Sequence, residues 1–172
     1  LQNVEPLAVS IAENVAGTDT NIDRTRVIES LDKAGLSYKL DQLPDGIDTQ
    51  MTKNIKEDGT IFSGGENQKL AIARALYKKN SYALIMDEPT AALDALAEEK
   101  IYSRLDKISE GKTLIFISHR LASTRFCDKI MLLDGGKIKE YGTHDDLLKR
   151  DGPYKQMYES QRKYYKESEN EK

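Results

Sequence analysis

The sequence predicts an α/β fold in which a mostly helical lobe precedes a layer with parallel strands. Residues 22–40 and 66–79 carry apolar side chains at helical spacing. Two short apolar runs, Tyr82–Met86 and Thr113–Ile117, flank a third helical pattern over residues 95–109. This strand–helix–strand order is typical of a parallel βαβ unit, and 172 residues suffice for one domain or two small lobes.

The helical lobe begins with a short helix predicted over Ser10–Val15. Leu43-Pro-Asp-Gly46 has turn chemistry, because proline fixes φ and glycine permits a positive φ. Residues 47–60 are polar and irregular. A longer helix is then predicted from about Glu66 to Lys79.

The second half is predicted to be richer in strands. The continuously apolar runs at Tyr82–Met86 and Thr113–Ile117 indicate strands buried on both faces. Asp128–Leu133 and Lys137–Tyr141 form a predicted hairpin around Asp134-Gly-Gly136. Thr143 opens a helix with Asp146 at its capping-box position, and a charged helix that frays follows from about Tyr158. We expect three regions: residues 1–80, 81–160 and a tail over 161–172.

Composition excludes several classes of protein. The charged share is 32% and the net charge is −3, so the basic footprint of a nucleic-acid-binding protein is absent. A single cysteine, Cys127, excludes an internal disulfide and a four-cysteine zinc site. No apolar run approaches the roughly 18 residues of a membrane helix.

The stretch Ser63-Gly-Gly-Glu66 has two interpretations. The Ser-x-x-Glu spacing is that of a capping box, which accounts for the serine and the glutamate. It does not account for two consecutive glycines, which weaken a helix start. Bare backbone N–H groups at a helix N-terminus bind anions such as phosphate. Both interpretations stay open on this stretch alone.

Several polar residues follow the predicted strands. Asp87 and Glu88 come directly after the first strand, where an Asp can bind Mg²⁺ and a Glu can activate water, or where both can simply cap the next helix. His119 follows the second strand, as a phosphate ligand or as a structural histidine. Asp94 is positioned to cap the helix starting at Ala95. His144 lies in a helix-start pattern and receives no chemical role.

One apparent phosphate-binding loop is rejected. Gly111-Lys-Thr113 matches the end of the G-x-x-x-x-G-K-[ST] pattern, but Asp106 stands where the first glycine is required. The segment also leads into a predicted strand instead of a helix. The chain therefore contains no phosphate-binding loop.

The order of these motifs resembles the nucleotide-binding domain of ATP-binding-cassette (ABC) exporters. Phe62-Ser-Gly-Gly-Glu66 resembles the signature motif, Ala83–Glu88 the Walker B strand, Ala91–Asp94 the D-loop and His119 the switch histidine. Gln2, with Ser10-Ile11 and Glu13-Asn14, is similar to the Q-loop region. The resemblance implies an incomplete P-loop NTPase-like ABC ATPase fold: a helical subdomain plus the C-terminal part of the parallel-sheet core.

Two departures from the family pattern stand out. Glu66 replaces the commoner Gln, which puts a negative charge near the expected γ-phosphate; the adjacent N–H groups and Ser63 remain, so the resemblance implies a retuned site. The family's phosphate loop and its adenine-stacking aromatic are expected upstream of Gln2, so the chain corresponds to the part of the domain that starts at the Q-loop.

The resemblance implies which residues act on ATP and Mg²⁺. Phe62, Ser63, Gly64, Gly65 and Glu66 would bind the γ-phosphate held by a second, head-to-tail domain. Asp87 and Gln2 would serve the Mg²⁺ ion. The catalytic residues it implies are Glu88, His119, Gln2 and Asp94.

The partners and the location follow from the same resemblance. A second nucleotide-binding domain and a transmembrane domain, the latter docking near residues 3–60, are the implied partners, and no nucleic acid is among them. The implied location is the cytoplasmic side of a bacterial cell membrane. Without the phosphate loop, residues 1–172 alone are expected to hydrolyse almost no ATP.

Two other classes remain as alternatives. Non-transport ABC-type ATPases of the chromosome or DNA-repair class often carry Ser-Gly-Gly-Glu, but they insert long heptad-patterned coiled coils between Q-loop and signature. Residues 3–61 are too few and lack sustained heptads. A non-enzymatic interaction module is the third class.

Overall fold

A computed structural model describes residues 6–51, 59–79, 81–89, 102 and 111–170. The chain divides into two units, one ending at Ile117 and the other beginning at Ser118. Gln2, Asp94 and the helix predicted over residues 95–109 lie outside the described residues, apart from Tyr102, which is helical. The three regions predicted from the motifs stay a prediction.

Four α-helices precede the first strand among the described residues of the first unit. They are α1 (Ile11–Ala16), α2 (Arg24–Lys33), α3 (Ser37–Leu40) and α4 (Gly64–Tyr77), with a 3₁₀ turn over Gly46–Asp48. The predicted helices are confirmed with two differences. The helical pattern over residues 22–40 is divided into α2 and α3, because the chain turns at Gly35, which has a φ of 77°. The helix placed over Glu66–Lys79 begins and ends two residues earlier, because Ser63 is its N-cap and both glycines are helical.

Polar side chains cap the starts of α1, α2 and α4. Ser10 caps α1 in a capping box with Glu13, and Asp23 caps α2 by accepting from the N–H of Arg26. Gly17 ends α1 with a left-handed φ of 70°, a conformation that costs glycine little. The Leu43–Gly46 turn is also as predicted, with Gly46 at a φ of 52°.

The apolar faces of α1, α2 and α4 build one core. Its most buried members come from all of these helices and from the loops between them: Ile11, Val15, Val27, Leu31, Leu36, Met51, Leu70 and Ala73. Leu84 and Met86 of the first strand join the same cluster. The helices and the first strand therefore share one core.

Strands β1 (Ala83–Asp87) and β2 (Thr113–Ile117) pair in parallel, with Asp87 opposite Ile117. The predicted βαβ order is confirmed in its strands. The prediction that both faces are buried is wrong. Ile85 and Ile117 are 62% and 53% exposed, because the helical cluster covers only the face that carries Leu84 and Met86.

The second unit starts with a 3₁₀ helix over Leu121–Phe126 and continues with a hairpin. Strands β3 (Ile130–Asp134) and β4 (Lys137–Gly142) are antiparallel, as predicted, with an irregularity between Leu132 and Leu133. Helices α5 (His144–Lys149) and α6 (Pro153–Asn170) follow. Thr143 caps α5, as expected.

Tyr154 is the centre of the second unit's core. It is fully buried with Leu121, Ile130 and Leu147. Its hydroxyl is hydrogen-bonded to Thr124 Oγ1 at 2.6 Å and to His144 Nδ1 at 2.7 Å. His144, which received no chemical role from the sequence, is thus a packing residue that joins α5 to α6. Of the helices described in both units, none combines the length and apolarity needed to span a bilayer.

Candidate functional site

The Ser63–Glu66 turn forms the capping box that its spacing predicts. Glu66 N–H donates to Ser63 Oγ at 3.3 Å, and Ser63 N–H donates to Glu66 Oε2 at 2.8 Å. Gly64 and Gly65 are the first two helical residues, so their N–H groups lack an intrahelical acceptor. Ser63 and Gly64 are exposed. The turn therefore combines a closed cap with an accessible helix start suited to an anion.

Glu66 is held by α3 as well as by its own cap. Tyr38 Oη donates to Glu66 Oε1 at 3.2 Å, and Lys39 Nζ lies 3.3 Å from the same oxygen. Burial would raise the pKa of Glu66, but the Ser63 N–H, Lys39 and Tyr38 outweigh it and lower the pKa below its usual value. The carboxylate is therefore ionised and paired with Lys39. The negative charge expected beside the γ-phosphate is thus accompanied by a positive one.

Asp87 and Glu88 lie at the carboxyl end of β1, the side of a parallel sheet where ligands collect. Glu88 has a φ of 46°, a left-handed conformation that is unusual for a residue with a Cβ. Its N–H donates to the carbonyl of Ile117, the last residue of β2, at 2.8 Å. Such conformations cost about 1–3 kcal/mol and gather at functional sites. The paired strand ends thus fix the backbone of the predicted catalytic glutamate.

The donor set at this strand end suits Mg²⁺ in part. Among the described residues, no group of three His, Cys, Asp or Glu side chains could hold a metal ion alone. Mg²⁺ commonly binds through one or two carboxylates, with waters and substrate phosphates completing its shell. Asp87, a half-buried carboxylate at the end of β1, fits that role. Gln2, the other predicted ligand, lies outside the described residues.

His119 lies at the start of the second unit, where α6 holds its backbone. Gln161 Nε2 donates to the His119 carbonyl at 2.6 Å. The same amide accepts at Oε1 from the N–H of Leu121 at 2.9 Å. Gln161 was not predicted from the sequence, because a glutamine in a charged helix has no pattern that separates it from a solvated residue.

Asn14 and Arg74 were also missed. Asn14 is buried, and its side chain hydrogen-bonds the backbone of Leu7 in both directions, at 2.9 Å each. Arg74 of α4 donates to the Asn14 carbonyl at 2.7 Å and to Asn14 Oδ1 at 3.2 Å. These contacts tie the segment that follows Gln2 in the chain to the helix that carries Ser63. The sequence signal that could have identified Asn14 is the Glu13-Asn14 pair, which is part of the resemblance to the Q-loop region.

The Gly111-Lys-Thr113 segment, which is rejected from its sequence as a phosphate-binding loop, leads into a strand, as predicted. Gly111 has a φ of 79°, and β2 begins two residues later at Thr113. Lys112 Nζ lies 3.4 Å from the carbonyl of Lys78, which it can reach as a donor. The Gly-Lys-Thr triplet therefore shapes the entry to β2 and opens no helix.

The chain was compared with known proteins on sequence and on structure. The family model described as ABC transporter matches residues 4–91. ATP-dependent lipid A-core flippases are similar: that of Ralstonia nicotianae is 43% identical over 155 residues, and that of Legionella pneumophila (strain Paris) is 38% identical over 160. These alignments cover 88% and 93% of this chain. The chain spans about a quarter of these relatives, 25% and 26% of their lengths.

A solved structure described as a bacterial Atm1-family ABC exporter with ATP bound is similar in fold. The TM-score is 0.79 at 36% identity, over 93% of this chain and 27% of that one. The resemblance drawn from the motifs and the predicted ABC ATPase fold, with its mixed helices and sheets, are therefore confirmed. The protein belongs to the ABC transporter family.

Proposed function

We propose that this chain is part of the ATP-binding and ATP-hydrolysing domain of an ABC exporter. One observation carries the proposal: a single member of the family has both features. Ser63-Gly64-Gly65 forms an accessible helix start, and Asp87 and Glu88 lie at the end of a parallel strand. The first is suited to bind an anion, and the second to serve a metal ion and a water.

The proposed site is completed by a second domain. ATP would lie between two domains facing head to tail, each lending Ser-Gly-Gly to the triphosphate held by the other. The open N–H groups and the exposed Ser63 hydroxyl would contact the γ-phosphate. The exposure of Ser63 and Gly64 supports this arrangement, because a phosphate from another subunit has to reach them.

The proposed reaction is in-line attack of water on the γ-phosphorus. The new P–O bond forms as the bond to the bridging oxygen breaks, and ADP leaves with the electron pair. Glu88 orients the water and accepts its proton, and the resemblance assigns His119 to the γ-phosphate. Mg²⁺, when bound, would neutralise phosphate charge. Asp87 and Gln2 would hold it, and Asp94 would reach across the dimer.

Glu88→Gln tests this mechanism in a longer protein, by which we mean one that contains this chain together with a phosphate-binding loop. Removing the general base is expected to lower ATP turnover about 10²–10⁴-fold, while ATP binding measured by equilibrium titration stays close to wild type. Glu159→Gln, a neutralisation of an exposed carboxylate on α6, is the matched control and should retain turnover. Full turnover in Glu88→Gln would remove this residue from the catalytic role.

The isolated chain provides a second test of the same proposal. Residues 1–172 contain no phosphate-binding loop, so we expect negligible magnesium-dependent ATPase from this polypeptide alone. Phosphate release measured with and without Mg²⁺ would decide the point. Clear turnover would show that the phosphate loop is dispensable.

The proposed setting is the cytoplasmic side of a bacterial membrane. Relatives named as flippases and a neighbour described as an exporter support a transmembrane partner, on the same chain or another. We propose that this partner docks near residues 3–60. The description of the solved structure states export, so we propose export and assign no transported compound.

A further inference from the structure

The Glu66 carboxylate lies in a cluster of its own at the signature turn. Its side chain is only 12% exposed and that of Lys39 only 19%. One oxygen accepts from the Ser63 N–H, and the other is shared by Tyr38 Oη and Lys39 Nζ. Both carboxylate oxygens are therefore engaged on the protein side, while Ser63 and Gly64 stay exposed.

Lys39 contacts the turn on both sides of its cap. Besides Glu66, which follows Ser63, its ammonium group lies 5.6 Å from the ring centroid of Phe62, which precedes Ser63. Phe62 is buried in the core of the first unit. An ammonium over an aromatic face is attracted by the ring quadrupole. Lys39 thus has two attractions that keep it beside the capping box.

Helix α3 is anchored to the core by its flanking leucines. Leu36, the residue before α3, is 1% exposed, and Leu40, its last residue, packs against the same cluster. Lys69 of α4 lies over the Tyr38 ring, with 5.2 Å from its ammonium group to the ring centroid. Tyr38 and Lys39 are therefore presented to Glu66 from a fixed position.

We propose that Lys39 is a positioning residue that compensates the charge of Glu66 at the signature turn. This inference rests on the proposed function, in which the turn binds a γ-phosphate. An uncompensated carboxylate beside the helix start would repel that phosphate, and the repulsion would be strong at a partly desolvated interface. With Lys39 paired to it, the Glu66 turn presents the same net charge to an anion as a neutral glutamine would.

A double-mutant cycle in the longer protein tests the inference. Lys39→Met should raise the KM for ATP about tenfold with kcat changed little, because the lost pairing opposes binding of a phosphate. Adding Glu66→Gln to Lys39→Met should return KM to within about twofold of the wild-type value, because the two changes together remove both charges. Lys39→Arg, which keeps the charge, should restore most of the loss seen in Lys39→Met.

Two controls separate charge from folding. Lys137→Met removes one positive charge at an exposed hairpin position and should leave KM unchanged. Urea unfolding of the 172-residue chain reports whether Lys39→Met merely loosens α3. A loss of stability with no KM change, or a KM that stays raised when Glu66→Gln is added to Lys39→Met, would overturn the role of Lys39.

Failure of the inference about Lys39 can be distinguished from failure of the proposed function. If the wild-type longer protein neither binds nor hydrolyses ATP, the proposed function itself is wrong. If the wild-type protein hydrolyses ATP and Glu66→Gln fails to restore the KM of Lys39→Met, only the inference about Lys39 is wrong.

Discussion

The signature turn and the proposed catalytic segments are built by different kinds of contact. Ser63 and Glu66 cap each other across three positions of the chain, and both bonds follow from one local pattern. Glu88 depends on a bond to Ile117, and the His119 carbonyl on Gln161, 42 positions away. A local cap forms wherever the helix begins, whereas the proposed catalytic segments need the tertiary structure around them.

The same contrast separates the helical lobe from the two-stranded sheet. Leu31 on α2 is fully buried by neighbours from α1 and α4, while Ile85 on β1 is 62% exposed. The helices share one core, which extends onto one face of the sheet, and the other face of the sheet is open. The contrast teaches that the proposed anion-binding turn rests on helices with a closed core, while the proposed catalytic strand end belongs to a sheet with one open face.

The largest expected effect compares those two residues directly. Leu31→Ala should lower the free energy of unfolding by about 2–5 kcal/mol, because it leaves a cavity in a closed core. Ile85→Ala should cost less than about 1 kcal/mol, since its side chain already meets solvent. Urea unfolding of the 172-residue chain measures both variants. Equal costs would contradict the contrast.

Repeating the pair in the longer protein sharpens the comparison. If further parts of that protein cover the open face of β1 and β2, Ile85→Ala should become clearly more costly there, while the cost of Leu31→Ala stays the same. An unchanged, small cost for Ile85→Ala would show that the face stays open.

An intermediate effect is expected at Gln161. Gln161→Leu removes the acceptor of the Leu121 N–H and the donor to the His119 carbonyl, which should cost about 1–2 kcal/mol. Hydrogen exchange at the Leu121 amide should accelerate accordingly. Gln156→Leu, an exposed glutamine on the same helix, is the control. Unaltered exchange in Gln161→Leu would show that the His119 segment is held by other contacts.

The smallest effect concerns the pH dependence of the signature turn. Ser63, Lys39 and Tyr38 lower the pKa of Glu66 against the opposing effect of burial, so its folded-state pKa lies below the ordinary value of 4.5. A depressed pKa stabilises the fold above the unfolded-state value, and this contribution is lost as the pH falls through the folded-state value. From about pH 5 downward, Glu66→Gln should therefore lose stability less steeply than wild type.

Acid titrations of unfolding in wild type and Glu66→Gln isolate that contribution, because the other carboxylates are common to both proteins. Glu159→Gln, at an exposed position, should follow the wild-type curve. Parallel curves for wild type and Glu66→Gln would mean that the Lys39 and Ser63 contacts do not favour the ionised carboxylate.

Much of the local structure could be predicted from the sequence. Ser10, Ser63 and Thr143 each cap the helix they were expected to open, and Asp134-Gly-Gly136 directs the hairpin. Such elements depend on hydrogen bonds and dihedral preferences of residues close in the chain. The order of the motifs was also sufficient to identify the family, without any knowledge of packing.

Burial and long-range partners could not be predicted in the same way. The runs at β1 and β2 were expected to be buried on both faces, because apolarity alone does not tell which neighbours are present. Gln161 and Arg74 gave no distinctive signal, since their partners are backbone atoms or side chains distant in sequence.

The sequence by itself determined the helix caps, the turns, the strand order and the succession of ABC motifs, because each depends on residues a few positions apart. Only the tertiary structure decided the surroundings of Glu66, the left-handed backbone of Glu88 supported by Ile117, and the exposure of Ile85. Those features depend on contacts between segments that are distant in sequence, and the packing of the whole unit determines which of these contacts form.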